Sequence, residues 1–197
     1  MSARANACYK KRNMSVSKRV PINRQLYLIM TLCGCLTAIE VINILSGRML
    51  NGYGLIPRDL HYLSGILTAP FLHGSISHFA SNIVPFAVFS LLMMQYGRSA
   101  YMRLSLTIIL STGLMVWLFG RPALHIGASG VVFGYFGFLV TAGFRSQQIK
   151  HLAISIFVAI AYGSLIWGVL PGVPGVSFES HLFGALSGAL LGFRFGR

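Results

Sequence analysis

The sequence predicts an all-α membrane protein, a bundle of six transmembrane helices with a long outer loop between helices 1 and 2. Three observations predict it. First, 55% of the 197 residues are hydrophobic and only 10% are charged, where a soluble domain carries roughly 25% charged residues; mean hydropathy is +0.70. Second, the apolar residues gather in continuous runs approaching the ~20 residues that cross a ~30 Å hydrocarbon core. Continuity, rather than alternation, selects helices over a barrel. Third, the basic residues divide unequally between the two sides that six spans would create.

The chain opens with a basic tail, residues 1–25, in which Arg4, Lys10, Lys11, Arg12, Lys18, Arg19 and Arg24 have no acidic companion. Next to an apolar run this reads as a cytoplasmic anchor touching anionic lipid; a transit peptide is the other reading of such a composition. The first run is too long for a cleavable signal peptide and lacks a small-residue cleavage site. Residues 26–197 then form the six-span domain. The runs fall near 26–45, 78–95, 100–119, 129–144, 151–170 and 180–195. The fourth is short, as for a helix that starts below the membrane surface. The linker at 46–77 holds a Gly-rich stretch and then a moderately apolar one, 60–72, expected at the interface rather than across it.

With the N-terminus inside, the tail residues join Arg98, Arg103, Arg145, Lys150, Arg194 and Arg197 on the cytoplasmic side, leaving Arg48, Arg58 and Arg121 outside. That asymmetry obeys the positive-inside rule. It also accounts for the net charge of +13 without nucleic acid, so the lipid bilayer is the expected partner. Cys8, Cys33 and Cys35 make no disulfide framework, and no metal site is expected from them.

This topology brings polar residues from three spans to one membrane level. Ser129 starts span four, His181 starts span six, and His78 with Asn82 starts span two, all from the outer side. Lipid tolerates such groups only where they are paired or functional. A serine hydroxyl becomes a nucleophile when a histidine takes its proton. The N-terminus of span four offers free N–H groups and a favourable dipole at Ala128–Ser129. Asn82, four residues after His78, shares its helical face, so both could donate to an oxyanion. No Asp is positioned to orient His181, so the set reads as a Ser-His dyad. Glu179, two residues before His181, is expected to point elsewhere. Glycines every fourth residue, Gly184, Gly188 and Gly192 in span six and Gly130 and Gly134 in span four, would let the two helices approach closely.

Three stretches, His73-Gly-Ser-Ile-Ser-His78-Phe-Ala-Ser-Asn82, Gly127-Ala-Ser129-Gly130 and His181-Leu-Phe-Gly184-Ala-Leu-Ser-Gly188, resemble the rhomboid family of intramembrane serine proteases. The resemblance implies that Ser129 is the nucleophile and His181 the general base. It implies an oxyanion hole of His78, Asn82 and the Ala128–Ser129 backbone. It implies transmembrane protein substrates and no metal or other cofactor. Many members carry a Trp-Arg pair in the first long loop, where this chain has Ser64-Gly65 ahead of Thr68-Ala-Pro-Phe71-Leu-His73. Six spans without an additional one suggest the bacterial inner membrane, with the chain crossing repeatedly.

The remaining polar residues have plainer readings. Glu40 within span one is expected to be neutral or hydrogen-bonded to a neighbouring helix. His73 is expected to anchor the loop, and His61, His125 and His151 to be interfacial. The Gly- and Pro-rich segment 171–178 is a candidate cap over the site. Two other readings stay open: an inactive relative that binds transmembrane clients without cutting them, and a transporter with Glu40 and the histidines as a proton path.

Overall fold

The structure is a computed structural model that describes residues 21–172 and 175–195. The basic tail lies outside the described residues except for its last five, as do two positions of the 171–178 segment. The fold is all-α. In chain order the α-helices are α1 (Ile22–Leu45), the single-turn α2 (Gly65–Thr68), α3 (Ile76–Met93), α4 (Arg98–Phe119), α5 (Ser129–Arg145), α6 (Ile149–Tyr162) and α7 (Phe178–Phe195). Short 3-10 turns extend α3 to Tyr96 and α6 to Val169. Pro21, with no N–H to donate, stands directly before α1, so that helix begins four residues ahead of the expected run. The expected run at 151–170 changes at Gly163 from α-helix to a tighter 3-10 segment, Gly163–Val169.

Four helical stretches, Ile22–Leu45, Ile76–Tyr96, Arg98–Phe119 and Ile149–Val169, are long and apolar enough to cross a membrane, while Ser129–Arg145 is apolar but shorter. α7 carries Glu179, His181 and Arg194 and is less apolar. The short helix α5 is the centre of the bundle: twelve of its seventeen residues are buried, among them Tyr135, Phe138 and Leu139. Large apolar side chains such as Tyr27, Ile160 and Leu190 point outward instead, the distribution that a lipid solvent permits.

α7 packs along α5 through glycine. A Cβ at Gly184 would overlap the Gly130 carbonyl, and one at Gly188 would overlap the Gly134 carbonyl. Thr141 Oγ1 adds a hydrogen bond to Ala189 O across the same seam (3.1 Å).

The connection between α1 and α3 is folded against the bundle. Arg58 Nη1 donates to Gly120 O (2.8 Å) beyond the end of α4, and Trp117 Nε1 donates to Asp59 O (3.2 Å). Ile66 of α2 lies on Gly113 of α4. An antiparallel bridge joins Leu55 to His125. The stretch at 60–72 is thus three short helical pieces, of which α2 packs on α4 and Ala69–Phe71 lies against α1 and α5. At the position of the family's Trp-Arg pair, Gly65 lies against the Gly54 backbone with no room for a side chain, so this loop closes by backbone contact.

Gly188→Ala should force α5 and α7 apart and destabilise the protein by about 1–3 kcal/mol, the usual cost of overpacking. Gly34→Ala is the control, since nothing lies within 4 Å of its added methyl. Thermal unfolding in detergent should show a lowered midpoint for the first variant and none for the second.

Candidate active site

Each candidate residue sits in the first turns of a helix. Ser75 caps α3, its hydroxyl accepting the His78 N–H (3.0 Å), which sets His78 in the first turn and Asn82 one turn further. Ser129 is the first residue of α5 and His181 the fourth of α7. Ser129, His181, His78 and Asn82 line one cavity of about 700 Å³, together with Ser77, Ser81 and Ser177. Ser129 and His181 are 9% and 8% exposed, so this cavity is their route to water.

His181 is held on two sides. Its Nδ1 donates to Gly168 O (2.8 Å), which leaves Nε2 with the lone pair a general base needs. Its ring stacks on Phe133, centroids 4.1 Å apart at 4°. Among the described residues no hydrogen bond joins Ser129 to His181. Hydrogen bonds of this kind are often long in substrate-free enzymes.

The oxyanion donors divide into free and engaged groups. Ala128, the residue before α5, offers no side-chain cap, and the N–H groups of Ser129 and Gly130 have no intrahelical acceptor. Asn82 Nδ2 donates one hydrogen to His78 O (2.7 Å) and has a second to give. His78 approaches the nucleophile loop at Gly127: a Cβ there would stand 2.7 Å from His78 Nε2 and 3.7 Å from Ser129 Oγ, and the backbone has φ +121°. Glycine meets both demands. Ala128 has a contact that the sequence did not signal. Its N–H is directed at His73 Nε2 (3.4 Å), and its side chain lines an apolar cavity bounded by Pro70 and Phe71. The backbone donor nearest the nucleophile is therefore the Ser129 N–H, because the Ala128 N–H is already taken.

Glu179 points away from the dyad, its carboxylate 3.4 Å from Arg121 Nε and accepting the Arg121 N–H (3.3 Å). His125 is buried: Nε2 donates to Arg121 O (3.0 Å), and Nδ1 is hydrogen-bonded to Ser177 Oγ (2.6 Å). His151 is likewise buried, stacked on Tyr96 at 4.0 Å. His61 is exposed beside Asp59. Glu40 pairs with Arg48 (3.1 Å) in the connection after its own helix, not with a neighbouring helix. Three contributors were missed in the sequence. Phe133 was findable, since it follows Ser129 by four residues and shares its face. Gly168 acts through its carbonyl and leaves no side-chain signal. His73 was read only as a loop anchor.

Comparison with known proteins agrees with these motifs. A Rhomboid domain model matches residues 61–197. The chain is 33% identical over 174 residues to an uncharacterized protein of Mycobacterium tuberculosis, covering 84% of this chain and 72% of that one. An uncharacterized protein of Mycobacterium leprae is 29% identical over 198 residues, 93% and 78% of the two chains. RHOMBOID-like protein 4 of Arabidopsis thaliana is 31% identical over 135 residues, 65% of this chain and 33% of its own length.

Burial pushes His73 from the ordinary 6.5 down to about 4, with smaller pushes from His78 and Arg48. As pH falls the unfolded chain takes up this proton first, so His73 costs stability progressively from about pH 6.5 to about pH 4 and nothing above that window. His73→Gln removes the titration. Its thermal midpoint should fall less steeply than that of the wild type across the window, and run parallel to it above about pH 7. Equal slopes throughout would contradict a buried, neutral His73.

Proposed function

The chain belongs to the rhomboid family, and from that premise we propose that it is an intramembrane serine endopeptidase acting through a Ser129–His181 dyad. The observation that carries this is the shared cavity. It gathers a serine at an uncapped helix N-terminus, a histidine whose Nδ1 proton is fixed by a carbonyl, and a His-Asn pair one helical turn apart.

In this reading His181 Nε2 takes the Ser129 proton as Oγ attacks the scissile carbonyl carbon. The oxyanion that forms accepts from the Ser129 N–H, from His78 and from the second hydrogen of Asn82 Nδ2. His181 then gives the proton to the leaving amine, and water repeats the sequence to free the acyl group. No metal or other cofactor takes part. The substrate is a transmembrane segment of another protein, whose helix must unwind to enter the cavity. In this reading α1, α3, α4, α5, α6 and α7 all cross the bilayer, with the N-terminus cytoplasmic, the 46–75 connection outside and the 171–178 segment as the cap. Gly175, Val176 and Ser177 at the cavity edge support that cap. The charge asymmetry supports the orientation, and the mycobacterial relatives support a bacterial cytoplasmic membrane.

The open Ser129–His181 pair favours a second reading, a relative that binds transmembrane clients without cutting them. Cleavage of tagged single-span substrates in proteoliposomes separates the two. The protease reading expects fragments from the wild type, a loss of about 10⁴-fold or more in Ser129→Ala and His181→Ala, and a loss of about 10²–10³-fold in Asn82→Ala. Intact clients recovered bound to a wild type that a fluorophosphonate fails to label would establish the second reading instead.

A further inference from the structure

A buried polar chain runs from the middle of the bundle to the nucleophile loop, and the dyad does not use it. Glu40 of α1 is 3% exposed and His73 is 1% exposed, and neither lines the cavity of Ser129. A carboxylate inside an apolar helix is costly and calls for a purpose. Glu40 Oε1 accepts from Arg48 Nη1 (3.1 Å). The same Arg48 nitrogen donates to His73 O, as do Asn51 Nδ2 (3.2 Å) and Asn43 Nδ2 (3.4 Å). The His73 backbone is thereby fixed to α1 and to the turn that follows it.

The His73 ring faces the other way along the chain. Its Nε2 accepts the Ala128 N–H (3.4 Å), so in the neutral ring the proton sits on Nδ1. That Nδ1 lies 4.0 Å from Glu40 Oε2, and these two atoms are both buried without a hydrogen-bond partner among the described residues. A carboxylate facing Nδ1–H favours this tautomer, the one in which Nε2 can accept, as carboxylates behind functional histidines do elsewhere. The other titratable or charged groups near the ring are Arg48, which is bound to Glu40, and His78, whose ring centroid is 5.2 Å away, edge-on; Phe79 packs edge-on at 5.2 Å.

We propose that Glu40 and His73 are positioning residues for the reaction assigned above: Glu40 fixes the His73 tautomer, and His73 Nε2 holds the Ala128 N–H, setting the first turn of α5 so that the Ser129 N–H and Oγ face the cavity. Two features of the chain are then explained together. The intramembrane glutamate has a task, and the Ala128 N–H is a structural donor instead of an oxyanion donor. The inference rests on the protease reading only for its kinetic consequence.

The test compares the full-length wild type with Glu40→Gln, His73→Leu and His73→Gln in proteoliposomes. It measures the rate of Ser129 labelling by a fluorophosphonate, kcat and KM for a tagged substrate, and amide hydrogen exchange at residues 127–130 without any ligand. Labelling and kcat should fall about 10-fold in Glu40→Gln and about 100-fold in His73→Leu, toward the ~10²–10³-fold cost of removing an oxyanion donor outright. KM should stay within about twofold, since neither residue touches the cavity. His73→Gln, which keeps an acceptor for the Ala128 N–H, should recover much of the rate. Exchange at 127–130 should quicken in Glu40→Gln and His73→Leu, while exchange in α7 stays unchanged. Unchanged exchange at 127–130, or a His73→Gln as impaired as His73→Leu, would overturn the proposal. A wild type that neither labels nor cleaves would sink the protease reading alone, and the exchange data would still decide whether His73 holds the loop.

Discussion

The contact between α5 and α7 is the constraint on which the rest of the structure depends. Backbone meets backbone at two levels, Gly184 on the Gly130 carbonyl and Gly188 on the Gly134 carbonyl, with no space for a methyl group at either. In lipid there is little hydrophobic force to press helices together, so close packing of this kind and a few hydrogen bonds must hold them. The same contact sets the register of the candidate site residues. Ser129 precedes Gly130 by one residue, and His181 precedes Gly184 by three, so the glycine pair that fixes the helices also fixes the serine against the histidine. A slip of one Gly-xxx-Gly step would move one helix by about 6 Å along the other and separate the two side chains beyond repair by rotamer change.

Within that frame the polar groups are secured unequally, and the inequality has a chemical sense. His181 is clamped by a carbonyl bond and by Phe133. His125 is bonded through both ring nitrogens, and Glu179 is engaged by Arg121. A buried polar group left unpaired in such surroundings is costly, so these bonds keep the cavity walls in one arrangement. Ser129 stands apart at an uncapped helix end, beside a cavity with room for a peptide backbone and water. The walls are fixed and the reacting end is open, which is what preorganised electrostatic stabilisation requires.

Much of this was legible in the sequence because lipid-facing helices advertise themselves. A helix must be apolar along its length to face hydrocarbon, so four of the six expected runs correspond to helices long and apolar enough to cross a membrane, while α5 is shorter and α7 less apolar. The glycine spacing of α7 signalled a close contact that the structure contains. The connection between α1 and α3 was not legible. Its fold is decided by tertiary contacts such as Arg58 on the end of α4 and the Leu55–His125 bridge, and no local pattern encodes those. Glu40 was conspicuous, but its partner was not, because Arg48 reaches back to it through a turn in which both Gly47 and Arg48 have positive φ. The partner of the Ala128 N–H was not legible for a related reason. Helix geometry says that its N–H is free of intrahelical bonds, yet only the folded loop reveals that His73 has claimed it.

The convergence of the site residues follows from topology more than from any single motif. Helices that alternate in direction start at the same end at every second element, and α3, α5 and α7 are such a set. Each carries its functional side chain within the first two turns, so residues fifty positions apart meet without a long excursion of the chain. The three N-termini also bring the positive ends of three helix dipoles toward one cavity, and α5 adds N–H groups without a side-chain cap. In the proposed protease reading, an oxyanion forming there would be stabilised by the backbone of the bundle before any side chain acts, and the effect is strongest where water is scarce. α5 is the shortest of the three and spans about 25 Å at 1.5 Å per residue, against about 33 Å for the 22-residue α4. The cavity lies at the N-terminal end of α5, where Ser129 begins the helix.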